Sequence, residues 1–274
     1  MSRTGRPGPH HGGVIRRTFA LVLVGVVASA GLVASGAHHG ASAGTTGRPA
    51  GLDVLFVGNS LIGTRAATGE DTPDVVRRLA RDGGREVRAT KVIRYGQTLR
   101  RTWDGGAARH ALDGSTRYDY IVLQEYSTLI VTDPARVTAT LLDTYAPALA
   151  RSLKPGGRVV LFENWALAGP APSAARARTV AVIRAGYARL AAALPAPTVI
   201  APVGDAFEAV VTRDGPGAVL APDGKHPTGR GIYLEAVTLH GLFFGESPRD
   251  LPDLYLPPAT AGRLRTVAAA ALGY

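Results

Sequence analysis

Five short apolar runs punctuate the chain between Leu52 and Val203. "DVLFV" (53–57), "YDYIVLQ" (118–124) and "RVVLFE" (158–163) are nearly continuous, the pattern of strands buried on both faces. "EVRATKVI" (86–93) alternates along its length, and "PTVIAPV" (197–203) is a fifth run. Between these runs lie segments with helical spacing. Asp71 to Arg81 has Pro73 in its first turn, Val75, Val76, Leu79 and Ala80 on one face, and Gly83-Gly84 as its stop. Pro134 to Leu153 reads as a helix ended by Lys154-Pro-Gly-Gly157. The alanine-rich stretch 173–194 reads as a long one, and Gly229 to Phe244 and Ala259 to Leu272 as the last two.

Strands that alternate with helices predict an α/β fold with a parallel sheet covered on both faces. Crossovers of that kind are right-handed, so a three-layer αβα sandwich around five parallel strands follows. No period of 20–50 residues repeats, and the pattern predicts one domain over 52–274. In such sheets ligands sit at the carboxyl ends of the strands. Ser60, Gly96 and Gln124 each fall at or just past such an end, which predicts one site assembled from three loops.

The segment before the first strand has a different character. Arg16-Arg17 precede an apolar stretch from Phe19 to about Ala34, and Ala41-Ser42-Ala43 supplies small residues where a peptidase would cut. These features predict a secretory signal peptide over 1–43, of the Sec or twin-arginine type, with 44–51 as a linker. The apolar stretch is 16 residues long, short of the roughly 20 that a spanning helix prefers. The protein is therefore expected to be secreted or held at the cell surface. Membrane contact follows only if the leader is kept as an anchor.

Composition removes several classes of function. The 274 residues include no cysteine, which excludes disulfides, thiolate zinc sites and a cysteine nucleophile. The formal charge is +10, but residues 1–43 hold four arginines and no acid, leaving +6 on the remainder. That charge is dispersed, with no run of five or more, whereas a nucleic-acid groove needs clustered cations. No nucleic-acid partner is expected.

A serine hydroxyl is a poor nucleophile until a neighbouring base takes its proton. Beyond the leader the chain offers His110, His226 and His240. His240 lies in the apolar "VTLHGLFF" and His110 in "AARHALDG", both positions suited to a packed or surface helix histidine. His226 lies in "LAPDGKHPTGRGIYLEA", a Pro/Gly-rich loop before a helix, with Asp223 three residues earlier. A carboxylate there can bond one imidazole nitrogen, fixing the tautomer and leaving the other as base. With Ser60 in "VGNSL" after the first strand, Ser60, His226 and Asp223 form a candidate nucleophile, base and orienting acid. No suitable histidine precedes the serine, which excludes the chymotrypsin order, and "GNSLIG" lacks the Gly-x-Ser-x-Gly spacing of a nucleophile elbow. Acyl transfer also needs donors for the developing oxyanion. The Ser60 amide, the Gly96 amide and the Gln124 side-chain amide are the candidates.

This pattern resembles the SGNH (GDSL-type) hydrolases, serine esterases and lipases with a flavodoxin-like αβα fold. The block-one Gly-Asp-Ser-Leu stands here as Gly58-Asn59-Ser60-Leu61, the block-two glycine as Gly96 in "RYGQTLRRTW", and the block-five Asp-x-x-His as Asp223-Gly-Lys-His226. The likeness extends from Leu52 to about Pro248 and is strongest in "VLFVGNSL", "YDYIVLQEYS", "APVGDAF" and "DGKHPTGRGIYLEA", which resemble a bacterial, often exported branch. The chain departs from the family twice. Asn59 replaces an Asp that is not the nucleophile, and "LQEYS" stands where Gly-x-Asn-Asp would supply the oxyanion asparagine. Gln124 is the substitute in that role, with Asn164 of "FENWA" behind it, and Asn59, Asn164 and Trp165 are substrate-contact candidates. The resemblance implies an esterase acting on a carboxylic ester, such as an O-acetyl group on a glycan, with no metal or organic cofactor. Two other readings stay open. One is a catalytically silent protein binding a glycan or lipid, and the other an O-acyltransferase using the same serine.

Overall fold

The computed structural model describes residues 51–169 and 171–274. The predicted leader, 1–43, and the linker up to residue 50 lie outside the described residues. Gly51, assigned to the linker from the sequence, is already the first residue of strand β1. The chain then runs β1 (Gly51–Gly58), α1 (Ser60–Gly63), α2 (Thr72–Asp82), β2 (Glu86–Ile93), α3 (Leu99–Asp104), α4 (Ala107–Asp113) and β3 (Tyr118–Leu123). Next come α5 (Leu129–Thr132), α6 (Pro134–Ala139), α7 (Ala146–Ser152), β4 (Leu153–Phe162), α8 (Ala174–Ala193) and β5 (Thr198–Ala201). Helices α9 (Val203–Asp214), α10 (Gly229–Phe244) and α11 (Pro258–Ala271) complete it.

The five strands are parallel throughout, in the order β2-β1-β3-β4-β5. Alternation along β1 divides its side chains between two cores. Val54 and Phe56 pack with α1, α2, α9, α10 and α11 on one face, and Leu55 and Val57 with α3 to α8 on the opposite face. A strand flanked on both sides and covered on both faces has no polar face to show, hence its unbroken apolar run. β2 is an edge strand, and its exposed Glu86, Arg88 and Lys91 produce the alternation seen in the sequence.

Several elements differ from the sequence expectation. The single helix expected over 134–153 is α6 and α7 joined by a π-helical turn, Thr140–Tyr145. β4 starts at Leu153, so Lys154-Pro-Gly-Gly157 belongs to the strand, with an irregular register opposite Tyr118 and Tyr120. A Cβ on Gly157 would lie 2.8 Å from the Tyr118 carbonyl oxygen, so the glycine permits that approach. β5 ends at Ala201, because Pro202 caps helix α9, which went unread along with α3 and α4. Among the described residues no helix is long and apolar enough to cross a membrane.

Candidate active site

Ser60 occupies the first residue of α1, directly after β1. Asn59 caps that helix, its Oδ1 accepting from the Leu61 amide at 3.2 Å. A Cβ on Gly58 would fall 2.6 Å from Ile62 Cδ1 and 2.9 Å from Gln124 Oε1, so only glycine lets the chain turn this tightly. The turn leaves Ser60 8% exposed at the carboxyl edge of the sheet. Its amide is among the first N–H groups of the helix, which have no partner within it.

The histidine comes from the far end of the sequence. The Asp223 carboxylate folds its own loop, with Oδ1 accepting from the amides of Lys225 (2.9 Å) and His226 (3.0 Å). Its Oδ2 lies 2.5 Å from His226 Nδ1, and His226 Nε2 lies 2.8 Å from Ser60 Oγ. With Nδ1–H donating to the carboxylate, Nε2 is left to accept the serine proton. The hydrogen bonds from the His226 side chain, then from the Lys225 and His226 amides, hold the Asp223 carboxyl down at about 2. The loop base is a two-stranded clasp, Ala221 N–H to His226 O and Thr228 N–H to Val219 O, both 2.8 Å.

Ser60, His226 and Asp223 thus stand in hydrogen-bonding sequence, with the imidazole between the hydroxyl and the carboxylate. Gly96 belongs to a loop tied to the same turn. Arg94 N–H donates to Gly58 O (2.9 Å), Asn59 Nδ2 to Gln97 O (3.1 Å), and Tyr95 Oη to Gly63 O. Gly96 itself has φ +70°, a conformation that favours glycine, and among the described residues its amide donates to no protein acceptor. The Ser60 and Gly96 amides are therefore both uncommitted.

Gln124 requires a correction. It is fully buried, and its Nε2 already donates to Glu125 O and to Asn164 Oδ1 (3.2 Å), while its Oε1 accepts from the Asn59 amide (2.9 Å). With both amide hydrogens spent inside the protein, none is left for an oxyanion. Its task is to hold up the turn that presents Ser60. Asn164 is equally buried, with Nδ2 donating to Glu125 O at 2.8 Å, which excludes it as a donor or a substrate contact. Asn59 is a buried helix cap rather than a substrate contact. Trp165 stacks flat on Phe207 at 4.1 Å and donates from Nε1 to Lys225 O at 3.1 Å, so it buttresses the histidine loop and, 2% exposed, offers no surface face to stack on a sugar ring.

Two acids at strand ends escaped the sequence reading. Glu125 Oε1 accepts from the amides of Leu99 (3.0 Å) and Tyr126 (2.6 Å), linking the Gly96 loop to β3, and burial raises its carboxyl above the usual range. Burial and the Asp205 charge push Glu163 up to about 7. Both close strong strand signals in the sequence, and a carboxylate there was the available clue. Of the other histidines, His240 is buried against Phe244, with burial holding it at about 4, and His110 lies exposed on α4. Among the described residues no three His, Asp or Glu side chains converge as a metal site needs.

No protein-family model matches the chain, and no curated protein sequence does. Solved structures do. A DUF4886 family protein from Bacteroides uniformis superposes with a TM-score of 0.63 at 17% identity, over 82% of this chain and 95% of that one. A putative SGNH hydrolase from Slackia heliotrinireducens gives 0.54 at 24%, over 69% and 97%. An acetylxylan esterase from Geobacillus stearothermophilus gives 0.55 at 16%, over 73% and 97%. The fold is that of the SGNH hydrolases.

Proposed function

We propose that the protein is a serine ester hydrolase that works outside the cytoplasm. The observation that carries this reading is the unbroken relay from Ser60 Oγ through His226 to Asp223, at 2.8 and 2.5 Å. Ser60 Oγ attacks the ester carbonyl while His226 Nε2 takes its proton. The ionised Asp223 stabilises the imidazolium, and the Ser60 and Gly96 amides receive the oxyanion. As the tetrahedral intermediate collapses, the departing alkoxide takes the proton from Nε2 and leaves an acyl-enzyme. Water, deprotonated by His226, then releases the carboxylic acid and restores Ser60.

The substrate proposed is an O-acyl group on a glycan, of which O-acetyl is the smallest. The position of the relay at an open edge supports this reading, since His226 keeps 30% of its side chain exposed and leaves room for a bulky alcohol. The fold it shares with an acetylxylan esterase supports it too. Export rests on Arg16-Arg17, the apolar segment and Ala41-Ser42-Ala43. The lack of a third oxyanion donor among the residues named from the sequence favours one rival, a silent binding protein. Intact-mass labelling with a fluorophosphonate decides between them. One adduct, lost in Ser60→Ala and in His226→Ala, is expected. Folded protein that takes no adduct overturns the hydrolase reading.

A further inference from the structure

An apolar cavity of about 320 Å³ opens between α5, the loop after β4 and α8. Its lining includes Val131, Trp165, Ala166, Leu167 and Ile183, and its size lies within the range of small-ligand sites. The polar side chains beside them are largely committed elsewhere. The Thr132 and Thr179 hydroxyls donate to carbonyls of their own helices, and Ser173 Oγ caps α8. The Arg176 guanidinium is bound to Glu208 at 2.8 Å and to the carbonyls of Leu167 and Ala166. Ser127 Oγ, also in the lining, has no hydrogen-bond partner among the described residues; otherwise what the cavity offers a ligand is hydrocarbon.

Both of its walls adjoin the catalytic loop. Trp165 donates to Lys225 O, and Ala168, between lining residues Leu167 and Gly169, donates to Gly224 O at 2.7 Å. On the other wall, lining residue Ser127 follows Tyr126, whose ring lies 4.5 Å beneath Lys225 Nζ. Lys225 is the neighbour of His226. The two walls extend from β3 and β4, the strands next in order after β1, at whose carboxyl end α1 begins with Ser60.

We infer that this cavity is the acyl subsite of the ester hydrolase and seats an apolar acyl chain longer than acetyl, while the alcohol part stays at the open edge. The inference rests on the hydrolase reading and sets the acyl class that the reading leaves open. Burying a methylene is worth roughly a fourfold gain in kcat/KM, so a chain that enters the cavity gains by about that factor per carbon.

The test is kcat/KM of the full-length protein on 4-nitrophenyl esters from acetate to decanoate. The same series is run on two cavity-filling variants, Val131→Trp and Thr179→Trp, each checked by thermal unfolding. The expected result is a rise of about fourfold per methylene that levels off once the cavity is full. In a folded variant the hexanoate-to-acetate ratio falls at least tenfold. Octanoate is expected to inhibit competitively, and less strongly in the variants. Acetate as the best substrate, with a ratio unmoved by either filling while Ser60 still takes the fluorophosphonate, overturns the subsite and leaves the hydrolase standing. Octanoate inhibition that is not competitive also overturns the subsite. No turnover of any ester and no label removes the hydrolase reading and this inference with it.

Discussion

Gln124→Met separates the structural task of Gln124 from the oxyanion role its sequence position suggests. Methionine matches the length of glutamine, so the cavity term is small. What the substitution removes is one acceptor and two donated hydrogen bonds, all buried. The Asn59 amide loses its bond to Gln124 Oε1 and Asn164 Oδ1 loses the donor Gln124 Nε2, whereas Glu125 O keeps a bond from Asn164 Nδ2. Two buried polar groups left unpaired cost roughly 1–3 kcal/mol each, so the fold should lose about 2–6 kcal/mol. In a domain of this size that lowers Tm by roughly 10 °C. Urea unfolding at neutral pH is the assay, with an unchanged m-value to show that the same surface is exposed. Ester turnover is measured in parallel, well below the transition. An oxyanion donor would behave in the opposite way, with kcat lower by about a hundredfold or more and the stability of the fold little altered. A variant within about 0.5 kcal/mol of the wild type that has lost two orders of magnitude in kcat refutes the buttress account.

Four further outcomes follow from the same geometry. Trp165→Phe keeps the stacking on Phe207 but removes the N–H bonded to Lys225 O. It should cost about 1 kcal/mol and lower kcat severalfold, and a raised KM for a glycan ester with unaltered stability would contradict this. Gly96→Ala finds open space around its Cβ but must hold φ near +70°, so about 1–2 kcal/mol of strain should displace the amide and lower kcat more than it alters KM. Glu163, raised to about 7, contributes stability that is full below about 4.5 and lost as pH rises through 7. In Glu163→Gln, which keeps an acceptor for the Asp205 amide, Tm should therefore fall less between pH 5 and about 8, and parallel Tm profiles would refute this. Asp223, lowered to about 2, contributes stability that is present above about 4 and lost as pH falls through 2. It should add no inflection to the activity profile above about pH 4, and an inflection there that disappears in Asp223→Asn would overturn the assignment.

What the sequence made legible was local. β1, β3 and β4 announce themselves because burial on both faces of their carboxyl-terminal halves leaves no polar position there to interrupt the run. The Asp223–His226 pair is visible because one carboxylate closes its own loop and orients the ring within three residues. Helix α9 was legible too, with apolar residues at 203, 206, 207, 210 and 211, but the Pro/Gly punctuation before it drew the strand onward to Val203. The start of β4 was not. Proline and glycine at 155–157 signal a break, and only the closeness of the Tyr118 carbonyl shows why Gly157 stands inside a strand. Gln124 was placed correctly at the edge and given the wrong task, because its partners lie 65 and 40 residues away and the number of free amide hydrogens cannot be counted along a chain.

The same distinction explains how so exposed a relay keeps its geometry. The Ser60–His226 contact spans 166 residues, and the Asp223 carboxylate is open to water. A hydrogen bond or ion pair in that setting contributes about 0–1 kcal/mol, too little to hold two loops together. Positioning must come from beneath. Gln124 fixes the serine turn from β3, Asn164 joins that support to β4, and Trp165, one residue on, holds the histidine loop through Lys225 O. The adjacent pair Asn164-Trp165 therefore couples nucleophile and base through buried contacts that water does not weaken. Substitutions at 124, 164 and 165 should accordingly be non-additive in their effect on kcat, whereas Asp223→Asn should alter the chemistry and leave the fold nearly untouched. A double-mutant cycle between Gln124→Met and Trp165→Phe measures the coupling, and strict additivity would mean that each loop is held independently.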